Sequence, residues 1–245
     1  MPSTQFDTII LIGRPASGKS EIIDYLLKTP LDERRSRFRV GDLHFVDDFP
    51  MLWAWFEEDH ILAEKFNRPR LHTDDEGYFL YEDLWHLLIE RIDLDFQKLQ
   101  RDRGEHDGGN TTIVEFARGS EHGGYEAAFA HLSAQLLQSA AILYVNVTFE
   151  ESLRKNRRRF NPDRPDSILE HGLPDDKLTR LYRDDDWLQY SGRDASYLRV
   201  GELDVPYILF DNEDDVTSGA AEKLGERLEE RLDQLWQLHV GRRAK

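Results

Sequence analysis

The stretch Gly13-Arg14-Pro15-Ala16-Ser17-Gly18-Lys19-Ser20 (GRPASGKS) carries the spacing G-x-x-x-x-G-K-S, and each fixed position has a physical task. The glycines let the backbone turn tightly and aim its N–H groups at phosphate oxygens. Lys19 is placed to reach β- and γ-phosphates, and the Ser20 hydroxyl to ligate Mg²⁺. The helix that follows turns its positive dipole end toward the same phosphates. Arg14, Pro15, Ala16 and Ser17 complete the cradle, and Glu21 enters the first turn beyond it. With glycine at roughly 7% of residues, the four fixed positions recur by chance about once in a hundred chains of this length, so the match points to nucleotide phosphates.

The flanks agree with the loop. Phe6–Ile12 is a short β-branched run bounded by glycine and reads as a strand; Lys19–Lys28 reads as a helix that Pro30 ends. Further strands are expected at Leu43–Val46, Thr111–Phe116, Ile142–Val147 and Val205–Phe210. Between them lie a charged link (Asp32–Arg37), an aromatic-rich helix (Phe49–Phe66) and a loop (Asn67–Gly77). An amphipathic helix follows, with Leu80, Leu84, Leu87, Leu88 and Ile92 on one face, and a glycine-rich turn at Arg101–Asn110. Another helix carries Tyr125, Phe129, Leu132 and Leu136, and a basic helix runs from Thr148 to Phe160. The proline-broken segment Asn161–Glu202 is expected to mix loop with short helix. Strands alternating with helices require crossover connections, hence a mostly parallel five-stranded sheet with helices on both faces. The expectation is a single domain over residues 1–245, with a helical insert at about 49–100 and a lid at about 148–202.

Composition narrows the partners. The 245 residues carry a net charge of −16, which opposes nucleic-acid binding unless a local basic patch works against the whole field. Five Trp, nine Tyr and thirteen Phe argue against disorder. The absence of cysteine excludes disulfides, thiolate metal sites and a cysteine nucleophile, and fits a reducing compartment. No basic region precedes the apolar run Ile9–Ile12, which is too short for a signal peptide or a membrane span, so a cytoplasmic protein is expected.

In an open parallel sheet, ligands sit beyond the carboxyl ends of the strands. Asp47 and Asp48 follow the second strand, and Glu115 with Arg118 follows the third. A carboxylate there can take a proton from a hydroxyl or hold metal-bound water, and an arginine can fork onto a substrate anion. The bland alternatives are helix capping for the aspartates and a local ion pair for Glu115 and Arg118. Arg154, Lys155, Arg157, Arg158, Arg159 and Arg164 crowd together after the fourth strand, either as a solvated face or as a lid over transferring phosphate. The acidic run Asp184–Asp186 offers a counter-charge. Trp53, Trp55 and Phe56 read as core before stacking platform, and Arg70, His72 and Tyr78 sit in a loop that can touch substrate or be plain surface. The nine histidines show no H-E-x-x-H spacing, leaving a zinc hydrolase unsupported.

Taken together, GRPASGKS, Asp47-x-Phe49, RKNRRRF after the fourth strand and the closing VPYILFDN with Asn212 resemble P-loop kinases of small metabolites, of the uridine kinase, phosphoribulokinase and pantothenate kinase type. The third-strand E-x-x-R looks more like deoxynucleoside kinases. The resemblance implies the three-layer α/β/α P-loop NTPase fold, ATP and Mg²⁺ as cofactors, Asp47 as general base, and Lys19 and Ser20 serving the nucleotide and metal. It further implies Arg154, Arg157 and Arg158 as lid residues and Asn212 near the adenine. Substrate contacts fall to Asp48, Glu115 and Arg118. The function so implied is phosphoryl transfer to a small acceptor, most simply nucleoside- or nucleotide-like. A non-catalytic ATP-binding regulatory module is the alternative; a GTPase-type switch lacks its N-K-x-D signature. The leucine stripe and Trp236 of the last helix pack either on the sheet or on a second subunit, as in a homodimer.

Overall fold

The computed structural model describes residues 4–103, 109–159 and 172–242. In chain order its elements are β1 (Thr8–Gly13), α1 (Lys19–Lys28), α2 (Leu31–Phe38), β2 (Asp42–Asp47), α3 (Phe49–Phe66), α4 (Asp83–Arg103), β3 (Asn110–Phe116), α5 (Gly124–Ala130), α6 (Ala134–Ser139), β4 (Ala140–Asn146), α7 (Phe149–Arg159), α8 (Asp175–Tyr182), α9 (Trp187–Ser191), β5 (Tyr197–Val200), β6 (Leu203–Asp211) and α10 (Ala221–Arg242).

The sheet has six strands rather than five, in the order β2-β3-β1-β4-β6-β5, and all pairings are parallel except β5 with β6. The unforeseen strand lies in the segment expected to be loop and short helix. Tyr197–Val200 alternates in burial and returns through Gly201, in the left-handed region at φ 56°, and Glu202 into Leu203. A two-residue glycine turn between alternating runs is a hairpin signal, here masked by the charged, proline-broken stretch before it.

β1 alternates across the sheet. Ile10 and Ile12 join Val114, Phe116, Ile142 and Tyr144 under α4, α5 and α9, whereas Ile9 and Leu11 join Ile113, Leu143 and Val145 under α1, α2 and α10. This gives three layers, each sheet face buried by helices. Leu224, Leu228, Leu232 and Leu235 of α10 are all buried in the second of these cores, and Trp236 meets Phe6 edge-on at 5.0 Å, so the leucine stripe packs on the chain's own sheet. A third, smaller cluster of Trp55, Trp85 and Leu88 holds α3 against α4.

Several local expectations are corrected. The charged link is α2: Pro30 starts it, Asp32 and Glu33 sit at its positive end and Arg35 and Arg37 at its negative end, while Phe38 is buried. In α4 the inward face is Trp85, Leu88, Ile89, Ile92 and Phe96; Leu80 precedes the helix, and Leu80 and Leu87 are exposed. The helix through Tyr125 and Leu136 is two helices, because Ser133 caps a new start by accepting the Leu136 N–H at 3.3 Å. Of the turn expected at Arg101–Asn110, residues 101–103 finish α4 and Asn110 opens β3, and residues 104–108 lie outside the described residues. No helix among the described residues is long and apolar enough to cross a membrane.

Candidate active site

β1 lies between β3 and β4, so the crossovers reverse beside it and leave a crevice at its carboxyl end. The phosphate loop fills that crevice. Gly13 has φ 150°, and a Cβ there would meet the Val145 carbonyl oxygen at 2.5 Å. Gly18 has φ 116°, and a Cβ there would strike the Asn212 amide nitrogen at 2.5 Å. Both positions therefore need glycine for conformation and for space. The loop is braced from below and from the side. Asn212 Nδ2 donates to the Ser17 carbonyl at 2.6 Å, and the Ser152 hydroxyl of α7 donates to the Pro15 carbonyl at 2.8 Å. Arg14 turns away from the cradle to the Val147 carbonyl (3.2 Å) and Asp185 (2.7 Å) and acts as a strut.

Lys19 is buried, with Nζ donating to the carbonyls of Gly13 (3.2 Å) and Arg14 (3.1 Å) and lying 3.8 Å from Glu115 Oε1. Burial lowers its pKa, against the opposing charges of Glu115, Asp47 and Asp48. The Ser17 hydroxyl is buried without a hydrogen-bond partner among the described residues, and α1 begins with no side-chain cap, with Ser20 half-exposed in its first turn and Glu21 beside it. A donor-rich loop with an orphan hydroxyl and an uncapped helix start suits a group carrying several anionic oxygens.

Parallel pairing of β2 with β3 sets Asp47 opposite Glu115, so the two rim carboxyls sit one strand spacing apart. Asp47 accepts the Phe49 N–H at 2.9 Å, yet burial, followed by the charges of Asp48 and Glu115, pushes its pKa up to about 8. Glu115 is also raised by burial, with Lys19 the main opposing charge. Asp48 is the N-cap of α3 through its backbone only, the carboxylate on the first N–H of the helix is that of Asp47, and the Asp48 carboxylate pairs with Arg118 at 2.6 Å. Arg118 is almost fully buried, donates to the Ala117 and Trp85 carbonyls, and ties β3 to α4. Its expected local pairing with Glu115 is replaced by the pairing with Asp48.

Beyond the rim opens a cavity of about 610 Å³ that holds Pro15, Lys19, Asp47, Asp48 and Glu115 at its phosphate-loop end. Its walls come from the insert: Leu52, Trp53, Phe56, Tyr78, Phe79 and Trp85. Trp55, by contrast, is core and stacks on His72 at 4.8 Å, and Arg70 pairs with Asp75. His122, unnoticed in the sequence, also lines the cavity and stacks on Trp85 at 3.7 Å. Its pKa is pushed down to about 3 by burial and the Arg118 charge. The neutral ring accepts the Gly119 N–H at Nδ1, leaving Nε2 as the protonated nitrogen, and Nε2 has no hydrogen-bond partner among the described residues.

The basic helix divides. Arg154 is held by Glu151 (2.6 Å) and Asp215 (2.8 Å), Lys155 by Asp215 (2.7 Å), Arg158 by Asp215 (3.2 Å) and Arg157 by Asp175 (2.6 Å). Arg159, the last residue of α7, lines the cavity, and its charge bears on Glu115. Arg164 lies outside the described residues. The neutralising carboxylates are Asp215, Glu151 and Asp175, not the run Asp184–Asp186; Asp186 instead accepts the N–H groups of Tyr125 and Glu126 at the start of α5. Asn212 is fully buried and reaches a nucleotide only through the loop it supports. Among the described residues no group of three His, Asp or Glu is arranged to hold a metal ion.

No protein-family model matches the chain, and no curated protein matches it. Among solved structures, it is similar to an unliganded sugar kinase of Janibacter sp. HTCC2649, at 15% identity over 93% of this chain and 95% of that one, with a TM-score of 0.39. It is also similar to Kti12 of Chaetomium thermophilum in complex with ADP-AlF3, at 14% identity over 94% of this chain and 98% of that one, with a TM-score of 0.48.

Proposed function

We propose that this protein is an ATP·Mg²⁺-dependent phosphotransferase acting on a hydroxyl or phosphate of a small acceptor, nucleoside- or nucleotide-like in size. The observation that carries the reading is the meeting of three groups at one rim: the phosphate loop with Lys19, the paired carboxyls Asp47 and Glu115, and an aromatic cavity opening from them. A cavity of about 610 Å³ suits a metabolite, and the net charge of −16 disfavours nucleic acid.

The residues divide the work. The loop amides, the Ser17 hydroxyl and Lys19 bind the triphosphate; to do so, Lys19 exchanges its two carbonyl partners for phosphate oxygens. Ser20 would hold Mg²⁺ together with the phosphates. Bound Mg²⁺ would neutralise phosphate charge during transfer. Asp47 accepts the proton of the acceptor hydroxyl; a carboxyl raised to about 8 is matched to that task near neutral pH. Glu115 keeps Lys19 oriented, and Arg159 brings a cation to the same end of the cavity. Arg154, Arg157 and Arg158 fit a lid role only if they leave their carboxylate partners on closure. A solvent-filled compartment such as the cytoplasm suits this chemistry.

The test is ADP release from ATP and Mg²⁺ against a panel of nucleosides, nucleotides, sugars and vitamin precursors. One acceptor should raise release far above background, and Lys19→Ala should abolish it. Tight ATP binding without acceptor-dependent release would mark a regulatory module instead.

A further inference from the structure

Away from the strand ends, where Asp47, Asp48 and Glu115 sit with Lys19 and Arg159, the cavity has a second charged group: Lys177 and Arg180 of α8, both against the Tyr78 ring, with Glu82 and Glu121 also in the lining. The Lys177 ammonium lies 5.1 Å from the Tyr78 ring centroid, and the Arg180 guanidinium 4.0 Å from it. Arg180 is partly neutralised by Glu121 at 2.9 Å. Lys177 is not. Its Nζ donates to the Gly77 carbonyl at 3.2 Å, and no carboxylate pairs with it among the described residues.

The ammonium rests against the backbone at Gly77. Gly77 adopts φ 78°, and a Cβ at that position would collide with Lys177 Nζ. In a chain of net charge −16, a half-buried cation at a cavity wall with no carboxylate ion pair among the described residues is poised for an anion supplied from outside. The lining between these charged groups is aromatic, with Trp53, Phe56 and Trp85 among its residues.

We infer that the acceptor is a planar aromatic or heteroaromatic compound carrying an anionic group, a phosphate monoester being the matching chemistry, and that Lys177 holds that group while the ring lies between the aromatic walls. This rests on the reading of the rim as the transfer site and adds the acceptor class to it. Arg180 assists as a second, weaker cation, and Gly77 is a positioning residue for Lys177.

The experiment uses the full-length protein saturated with a non-hydrolysable ATP analogue, so that the phosphate loop is filled. Binding of nucleosides and of their 5′-monophosphates is compared in matched pairs by tryptophan fluorescence. For at least one base, the monophosphate should bind about tenfold or more tightly than its nucleoside, the worth of one charge-assisted hydrogen bond. Lys177→Met should remove that preference and leave the nucleoside and the ATP analogue unaffected, whereas Lys177→Arg should keep most of it. Equal binding within every pair, absence of binding by all monophosphates, or an equal loss for both members in Lys177→Met would overturn the inference. Turnover is read separately: a preferred monophosphate that binds through Lys177 without ADP release in the presence of ATP sinks the phosphotransferase reading alone, and efficient transfer to an uncharged acceptor with no preference within pairs sinks the anion subsite alone.

Discussion

Asp47 links activity and stability with opposite signs. Its folded pKa of about 8 stands well above the unfolded carboxylate value near 4, so the folded state binds this proton more tightly than the unfolded chain does. The contribution to stability is therefore full at low pH and is lost as pH climbs from about 4 to about 8. Activity runs the other way, because only the deprotonated carboxylate accepts a proton. The expected kcat/KM profile rises with pH and levels off above about 8. Asp47→Asn should cost roughly 10²-fold or more in turnover. It should also raise Tm at pH 8 by at least about 2 °C, an advantage that vanishes toward pH 4. Lower Tm in the variant at pH 8, measured by calorimetry, would contradict the assigned environment. Arg118 behaves differently. Removing it leaves Asp48 unpaired beside two other carboxyls, so Arg118→Ala should destabilise by about 3–5 kcal/mol in denaturant unfolding. Strand-end acids could be found by reading the chain, because they follow apolar runs directly. The partner of Asp48 could not, since Arg118 lies 70 positions away, and the cavity cation Lys177 looks like any other in a chain with 32 lysines and arginines.

Among the elements, those that bury a stripe or an apolar run were readable in advance, α1, α10 and the five parallel strands, and α3 was readable from its aromatic run although only Trp55 and Asp59 are buried in it. Those whose burial depends on a distant neighbour were not. α2 is nearly all polar and is held by its buried Phe38 and by Arg34, which donates to the Leu26 and Gly41 carbonyls. α10 offers the plainest energetic test: Leu228 is fully buried, so Leu228→Ala should cost about 2–5 kcal/mol. The loop carrying Tyr78 depends on a carboxylate in α3. Asp59 is completely buried and accepts the N–H groups of Leu71, His72 and Thr73 at 2.6–2.9 Å together with the Thr73 hydroxyl. Those hydrogen bonds hold its pKa low although burial alone would raise it. Asp59→Asn turns an NH₂ toward N–H donors. It should lose about 1–3 kcal/mol and speed amide exchange at residues 71–73 ahead of the sheet; unchanged exchange there would show that the loop has another anchor.

At the scale of the molecule, charge and shape divide the surface. The net charge of −16 opposes polyanions, while Lys19, Arg159, Lys177 and Arg180 line the cavity. Gel-shift assays at about 0.15 M salt should therefore show no retention of duplex or single-stranded nucleic acid. One further arrangement spans elements that are far apart in sequence. Asp215 gathers Arg154, Lys155 and Arg158; Lys155 donates to the Thr217 hydroxyl at 3.0 Å; Thr217 meets Asn212; and Asn212 holds the Ser17 carbonyl. The joint works as a keystone: the arginine helix, the turn after the last parallel strand and the floor of the loop bear on one another and cannot settle independently. Truncations at its two ends, Lys155→Met and Asn212→Ala, should then cost less together than the sum of each alone, since the first to go has already slackened the arch for the second.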